Sequence, residues 1–237
     1  GGNGGGYIDI DVTNLVTING EISVDGFVGT STSTNEIGGG GSGGSINISS
    51  GLITGSGLLS ATGGTSVQDG SYESGAGSGG RVAIASASGF PGVIEIEGGL
   101  GKGGVAAGDS GSFYMNFSSA DDICDSGSLS GTCTISSYVN IHDGYALAGT
   151  GALVIASGGN LATVKPLDTI SVTMTGNVTV QSGGQITANL NNLSGANVSI
   201  DAGGAIIADA LGDYGGFSGG GAFADGNGTG GGMGYSG

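Results

Sequence analysis

The sequence predicts an all-β chain, a parallel β-solenoid with glycine-rich corners. Three observations predict it. Glycine supplies 59 of the 237 residues and recurs as pairs beside short strands. Within those strands apolar and polar residues alternate strictly, so Val and Ile fall at every second position. Near the C-terminus, the run Val178–Ala188 around Gly183-Gly184 returns as Val198–Ala208 around Gly203-Gly204, 20 residues on at every matched position. Repetition at this period, with strand and turn in each copy, is the mark of a stacked repeat architecture.

Alternation excludes helix as the main element, because a helix would spread these apolar residues all round its axis. With one apolar row per strand, each strand buries a single face. In a solenoid, identical positions stack at about 4.8 Å, the Gly pairs form a ladder at the corners and Val and Ile fill the interior. The alternative is an antiparallel β-sandwich or barrel, with the Gly pairs as hairpin turns. Glycine supplies positive φ at corners and close approach of neighbouring backbones.

Taken in order, Gly5-Gly6 with Ile8, Ile10 and Val12 matches Gly43-Gly44 with Ile46 and Ile48. Both match Gly79-Gly80 with Val82 and Ile84, the Gly pairs being spaced by 38 and then 36 residues. Between them lie second alternating runs, Val16–Gly26 and Ile53–Gly64, and then variable polar pieces, residues 30–37 and 66–74, expected to bulge outward. Residues 1–104 therefore read as one glycine-rich repeat array. Residues 105–150 break the pattern and read as a non-repeating insert that holds both cysteines, Asp121-Asp122, the lone His142, and Phe113, Tyr114 and Phe117. Residues 151–237 read as a second array, opened by a less regular copy at Val154–Ala162.

Nineteen acids face only Lys102, Lys165 and Arg81, a formal charge of −16. Such a charge repels phosphate backbones and anionic membranes, so nucleic acid is excluded as a partner. No apolar run reaches the 18 residues a membrane helix needs. No signal peptide or initiator Met opens the chain, which reads as a mature fragment or an excerpt. Tryptophan is absent and aromatics make up 5%, few for a surface that stacks on sugar rings. Cys124 and Cys133 enclose eight residues rich in Gly and Ser, an easy loop for a disulfide, which implies an oxidising compartment. Without a C-x-x-C, and with one histidine, no zinc site is expected.

Catalytic motifs fail on inspection. Gly108-Asp-Ser110-Gly resembles the nucleophile segment of chymotrypsin-like proteases, but His142 lies downstream and its flanks do not match. Gly98-Gly-Leu-Gly-Lys102-Gly lacks the Ser or Thr that would ligate Mg²⁺ in a phosphate loop. A polysaccharide-degrading solenoid needs clustered carboxylates, for which Asp121, Asp122, Asp125 and Asp143 are the candidates. No cofactor is expected. Ca²⁺ has only the outward acids Asp9, Asp11 and Asp25, without the full Gly-Gly-x-Gly-x-Asp nonapeptide. An ice-binding face would need regularly spaced threonines, and Thr173, Thr175 and Thr179 do not persist between copies. Six Asn-x-Ser/Thr sequons occur, at Asn47, Asn116, Asn177, Asn192, Asn197 and Asn227. Asn177 and Asn197 are equivalent in the 20-residue repeat, so glycans there would crowd, and glycans are expected more at Asn47, Asn116 and Asn227.

The strings Gly38-Gly-Gly-Gly-Ser-Gly-Gly44-Ser-Ile-Asn-Ile48 and Gly75-Ala-Gly-Ser-Gly-Gly80-Arg-Val-Ala-Ile84 resemble glycine-rich repeats of large extracellular proteins from bacteria and protists, as does the run from Val198 to Gly216. The resemblance implies a secreted, surface-exposed structural protein. The expected function is a non-catalytic subunit of an extracellular filament or surface layer, assembling head to tail with itself and glycosylated. The Gly-rich end Gly230–Gly237 joined to Gly1–Ile10 would recreate the pattern of residues 38–48. The alternatives are a surface adhesin or carbohydrate-binding module, with Phe113 to Phe117 as its aromatic patch, and a glycan-degrading β-helix enzyme.

Overall fold

A computed structural model of the chain describes residues 1–33, 36–209 and 211. Among these residues the regular structure is β-strand, apart from a 3-10 turn at Ala120–Ile123. The chain divides into two compact units, Gly1–Ile123 and Cys124–Gly237. The sequon at Asn227, the run Asp213–Gly216 and the end Gly230–Gly237 lie outside the described residues.

In the first unit each repeat contributes a long strand and a short one. These are β1 (Tyr7–Thr17) and β2 (Glu21–Ser23), followed by a hairpin of β3 (Ser31–Ser33) and β4 (Glu36–Ile37). The second repeat has β5 (Ser45–Thr54), β6 (Leu58–Ser60) and a hairpin of β7 (Gln68–Asp69) and β8 (Tyr72–Glu73). The third has β9 (Arg81–Ser86) and β10 (Val93–Glu95), and β11 (Ser112–Phe117) opens a fourth. The long strands form a parallel sheet in the order β1-β5-β9-β11, and the short ones a parallel sheet β10-β6-β2. Tyr7 lies opposite Ser45, Ser45 opposite Arg81 and Arg81 opposite Ser112, so equivalent positions are direct neighbours. Alternation then sends Ile46, Ile48, Val82, Ile84 and Met115 into a buried row while their neighbours face outward.

Before each long strand and after each short one the chain runs through glycine in an extended, ladder-free form. Four such leading segments (residues 2–6, 40–44, 76–80 and 108–111) interleave with three trailing segments (24–29, 61–66 and 96–100). Each trailing segment is bonded to the leading segments on both sides. Phe27 N–H donates to Asn3 O and Phe27 O accepts from Gly41 N–H; Gly64 repeats this with Gly41 and Gly77, and Gly99 with Gly77 and Gly108. Within the second leading segment, Gly43 donates to Ser78 of the next leading segment and Gly40 to Gly75 just ahead of it, Gly41 and Gly44 donate to the preceding trailing segment, and Ser42 is exposed. Bond directions that recur every third residue are those of a threefold, polyproline II-type strand. Packing is so close that a Cβ on Gly41, Gly77 or Gly108 would overlap a backbone oxygen of the preceding leading segment. Glycine is required here by contact rather than by positive φ.

The second unit is built from shorter repeats of three strands. They are β12 (Thr132–Ile135), β13 (Tyr138–Ile141) and β14 (Tyr145–Gly149), then β15 (Ala152–Ile155), β16 (Asn160–Thr163) and β17 (Thr169–Met174). Next come β18 (Val178–Val180), β19 (Gln185–Thr187) and β20 (Asn189–Ser194), and finally β21 (Val198–Ile200) and β22 (Ala205–Ile207). Three parallel sheets result, β12-β15-β18-β21, β13-β16-β19-β22 and β14-β17-β20. Apolar residues stack in columns: Cys133, Leu153 and Val178 form one, Ile135, Ile155 and Val180 another, all fully buried. The corners between the first two sheets are four-residue turns. Gly159 N–H donates to Ala156 O, Gly184 N–H to Gln181 O and Gly204 N–H to Asp201 O. The third residue of each turn, Gly158, Gly183 or Gly203, has φ of 86, 78 or 89°, the type II geometry that excludes a Cβ.

Antiparallel pairing among the described residues is limited to the two hairpins and a bridge between Ser126 and Thr134. The Gly pairs therefore do not make hairpin turns, as a sandwich would need. Residues 105–150, expected to form an insert, are instead divided between the units. Their strand β11 pairs with β9 in register, and β12, β13 and β14 are the first repeat of the second unit. The break in the sequence pattern has local causes. Phe113 and Met115 take the inward places held elsewhere by Val and Ile. At the corner after β12, Ser136-Ser137 stands where later repeats have a Gly-containing turn, and a carboxylate replaces the missing geometry.

Candidate functional site

That carboxylate is Asp125. Its Oδ2 accepts from Ser136 N–H (2.5 Å), Ser137 N–H (2.8 Å) and Ser136 Oγ (3.1 Å), and its Oδ1 from Ser137 Oγ (2.9 Å). The adjacent Cys124 is disulfide-bonded to Cys133, with Cα atoms 5.2 Å apart. Cys133 is fully buried in its column, so the bridge ties the loop of residues 125–131 to the core. Ser126 and Thr134 exchange both backbone bonds, and the loop thus covers the edge of β12 that β15 leaves free. An uncovered strand edge invites pairing with another chain, and here it is covered.

The four acids considered as a hydrolytic pair are spread over both units. Asp121 and Asp122 lie on the 3-10 turn of the first, where Asp122 Oδ2 accepts from Ser119 N–H (2.6 Å). Asp125 and Asp143 belong to the second. Asp143 Oδ1 accepts from Thr169 N–H (2.8 Å) and Thr169 Oγ1 (3.2 Å), linking the corner before β14 to β17. Carboxylates committed to backbone amides in this way hold corners.

Sequence reading missed Asp168, which is 4% exposed at the neighbouring corner. Burial raises its carboxyl above the usual range, partly offset by the Lys165 ammonium at 3.7 Å and by the Lys165 N–H at 3.2 Å. On the strand paired with β17, where Tyr145 lies opposite Ile170, burial pushes the Tyr145 phenol up to about 12, and its ring meets His142 edge to face at 5.3 Å between centroids. No sequence motif marks Asp168; only its tertiary burial does.

Asp9 and Asp11 face outward as expected, and Asp9 Oδ1 accepts from Asn47 Nδ2 (2.7 Å). Asp25 is turned into its own structure instead. Its Oδ1 accepts from Ser60 Oγ and Thr62 N–H, both at 2.6 Å, and its Oδ2 from Ser23 Oγ at 2.7 Å. Burial alone would raise this carboxyl, but the Ser60, Thr62 and Ser23 bonds outweigh it and hold the pKa below the usual value. A depressed folded-state pKa contributes stability above the unfolded value of about 3.9, lost as pH falls through the folded value. In urea titrations, the stability difference between wild type and Asp25→Asn is therefore expected to be constant from pH 7 to 5 and to shrink below about pH 4. A difference unchanged down to pH 2 would contradict this role. Among the described residues, no group of three or more His, Cys, Asp or Glu is placed to hold a metal ion.

The sequons differ in their surroundings. Asn116 is exposed on β11. Asn47 is half-buried beside Asp9, and Asn192 Nδ2 donates to Thr173 Oγ1 (3.0 Å). Asn177 and Asn197 do lie on adjacent repeats, where Asn197 Nδ2 donates to Asn177 Oδ1 at 3.0 Å. Of the expected aromatic patch, Phe113 is buried and Phe117 half-buried, leaving Tyr114 exposed. The protease-like Gly108–Gly111 is the fourth leading segment, and Gly98-Gly99 of the phosphate-loop match belongs to the third trailing one.

Two open grooves lie on the first unit. One, of about 430 Å³, is lined by Asn19, Gly20, Glu21, Ser56, Gly57, Leu58, Val93 and Glu95. It holds two carboxylates and no cation or histidine. The other, of about 510 Å³, lies at the first repeat between Gly4–Ile8 and Ser23–Phe27. No described helix is long and apolar enough to cross a membrane. Comparison with known proteins finds no matching family model, no matching curated protein and no matching solved structure.

Proposed function

We propose that both units are short parallel β-solenoid arrays and that the chain is a non-catalytic structural component of an extracellular filament or surface layer. Its partner is a further copy of itself or a continuation of its own repeats. One observation carries this reading. In the column Leu153, Val178, Val198 the first two are fully buried and Val198 is 44% exposed; in the column Ile155, Val180, Ile200 the last is 50% exposed. The side chains on β21 point into the column direction yet lack a described residue above them. Covering a half-exposed Val or Ile contributes about 1 kcal/mol each, and the outer edge of β21, to which no described strand is paired, gives an added strand its register.

The disulfide supports an oxidising compartment, and glycans belong to the same reading, with the exposed Asn116 as an acceptor and the Asn177–Asn197 pair left unmodified. Sedimentation and electron microscopy of the native protein test it. Filaments or higher oligomers are expected, and Val198→Asp with Ile200→Asp should dissolve them by placing charge in the contact. A monodisperse monomer across the accessible concentration range would overturn the filament reading. It would favour the adhesin alternative, which rests on Tyr7 and Tyr114, 66% and 48% exposed on the outer face of the β1-β5-β9-β11 sheet.

A further inference from the structure

Three glycine columns of the first unit follow a contact rule that names their own ends. Counting back from the strand register, Asn3 stands level with Gly41, Gly77 and Gly108. A Cβ on each of those three glycines would overlap the backbone oxygen of the preceding member, namely Asn3, Gly41 and Gly77. Phe27 likewise stands level with Gly64 and Gly99, where a Cβ would overlap the oxygens of Phe27 and Gly64. The side chains of Asn3 and Phe27 therefore leave the backbone in the direction from which a preceding repeat would have to approach.

The opposite end follows the same rule. Gly5, Gly43 and Gly79 are each crowded by the trailing segment of their own repeat, through Val24, Ala61 and Ile96 oxygens. The level position in the fourth leading segment, which has no trailing segment after it among the described residues, is Ser110. In these three columns a side chain occurs only where no neighbour packs. Gly6, with nothing within 4 Å of its Cβ position, is a glycine that the rule does not demand.

We propose that Asn3 and Phe27 are terminators: they close the first unit's glycine layers to any further glycine-rich segment, whether from a second copy or from chain preceding them. The 510 Å³ groove beside them, lined by Gly4–Ile8 and Ser23–Phe27, is the shallow seat that such a segment would need, and Phe27, 69% exposed, stands at its rim. Strand edges are commonly protected by charge, proline or a bulge. Polyglycine packing offers a simpler device, because one Cβ at the right position forbids the next layer. The inference concerns a different surface from β21 and holds for a monomer as well; it also closes the head-to-tail joining of residues 230–237 to residues 1–10 through the glycine layers, leaving β21 as the surface on which the filament reading rests.

Fusing an extra copy of residues 38–74 ahead of Gly1 tests it, with hydrogen exchange of the added glycine run as the readout. In the native background the added amides are expected to exchange at free-peptide rates. With Asn3→Gly and Phe27→Gly together, they should slow by about 100-fold as the run docks. Protection in the native background would overturn the proposal. So would free exchange in the double variant while the Gly77 amide stays protected. If the double variant loses protection at Gly77 itself, Phe27→Gly alone is the comparison, with the same two outcomes.

Discussion

Gly77→Ala is expected to destabilise the first unit by about 3 kcal/mol. The added methyl meets the Gly41 backbone oxygen far inside van der Waals contact, and backbone on both sides of Gly77 is hydrogen-bonded, to Gly64 through its N–H and to Gly99 through its oxygen. No rotamer change can relieve a clash with backbone, so the layers must part or the bonds must break. Gly6→Ala is the matched control. It lies in the same class of segment, has nothing within 4 Å of the new methyl, and removes unfolded-state freedom. It should change stability by no more than about 0.5 kcal/mol in either direction. Because a chain of two compact units need not melt in a single two-state step, the comparison belongs to hydrogen exchange of the Gly41, Gly64 and Gly77 amides alongside thermal melting. Equal costs for the two substitutions would refute the contact rule.

Removing the disulfide by Cys124→Ala with Cys133→Ala should cost the second unit about 2.6 kcal/mol, the loop-closure term for a sequence separation of nine. Two further losses act in the same direction. The Cys133 sulfur leaves a column in which Leu153 and Val178 are fully buried, and Asp125 loses its anchor beside Ser136 and Ser137. Denaturant midpoints with and without reductant should shift together with the double variant. An unchanged midpoint would mean that the Ser126–Thr134 bridge and the Asp125 bonds hold the loop unaided.

Strand content and register were legible in the sequence; the glycine layers and the unit boundary were not. The offset between Val178 and Val198 is the register of β18 on β21, and the Gly5, Gly43, Gly79 series is the register of β1, β5 and β9. Both were readable because alternate Val and Ile leave a period-2 trace. A glycine run has no side chain with which to leave a trace, so its threefold bonding and the exclusions at Asn3 and Phe27 appear only in three dimensions. The start of the second unit was missed for a related reason. Asp125 supplies through its carboxylate what Gly158 and Gly183 supply through φ, and the two solutions share no pattern. Candidate acids failed similarly: proximity in sequence brought Asp121, Asp122, Asp125 and Asp143 together, whereas the fold spends the last two on separate corners.

The interleaving of leading and trailing glycine segments also bears on how the first unit folds. Gly64 cannot complete its bonds until Gly77 arrives from the next repeat; Gly77 in turn waits for Gly99, and Gly99 for Gly108. No repeat of this unit is a self-sufficient nucleus, and its contacts span the 31 to 38 residues between equivalent positions. Loop closure on that scale must precede any reward, which makes assembly slow and close to all-or-none. The Val and Ile sheet can collapse first through side chains, but each glycine segment completes its bonds only when the next repeat is present.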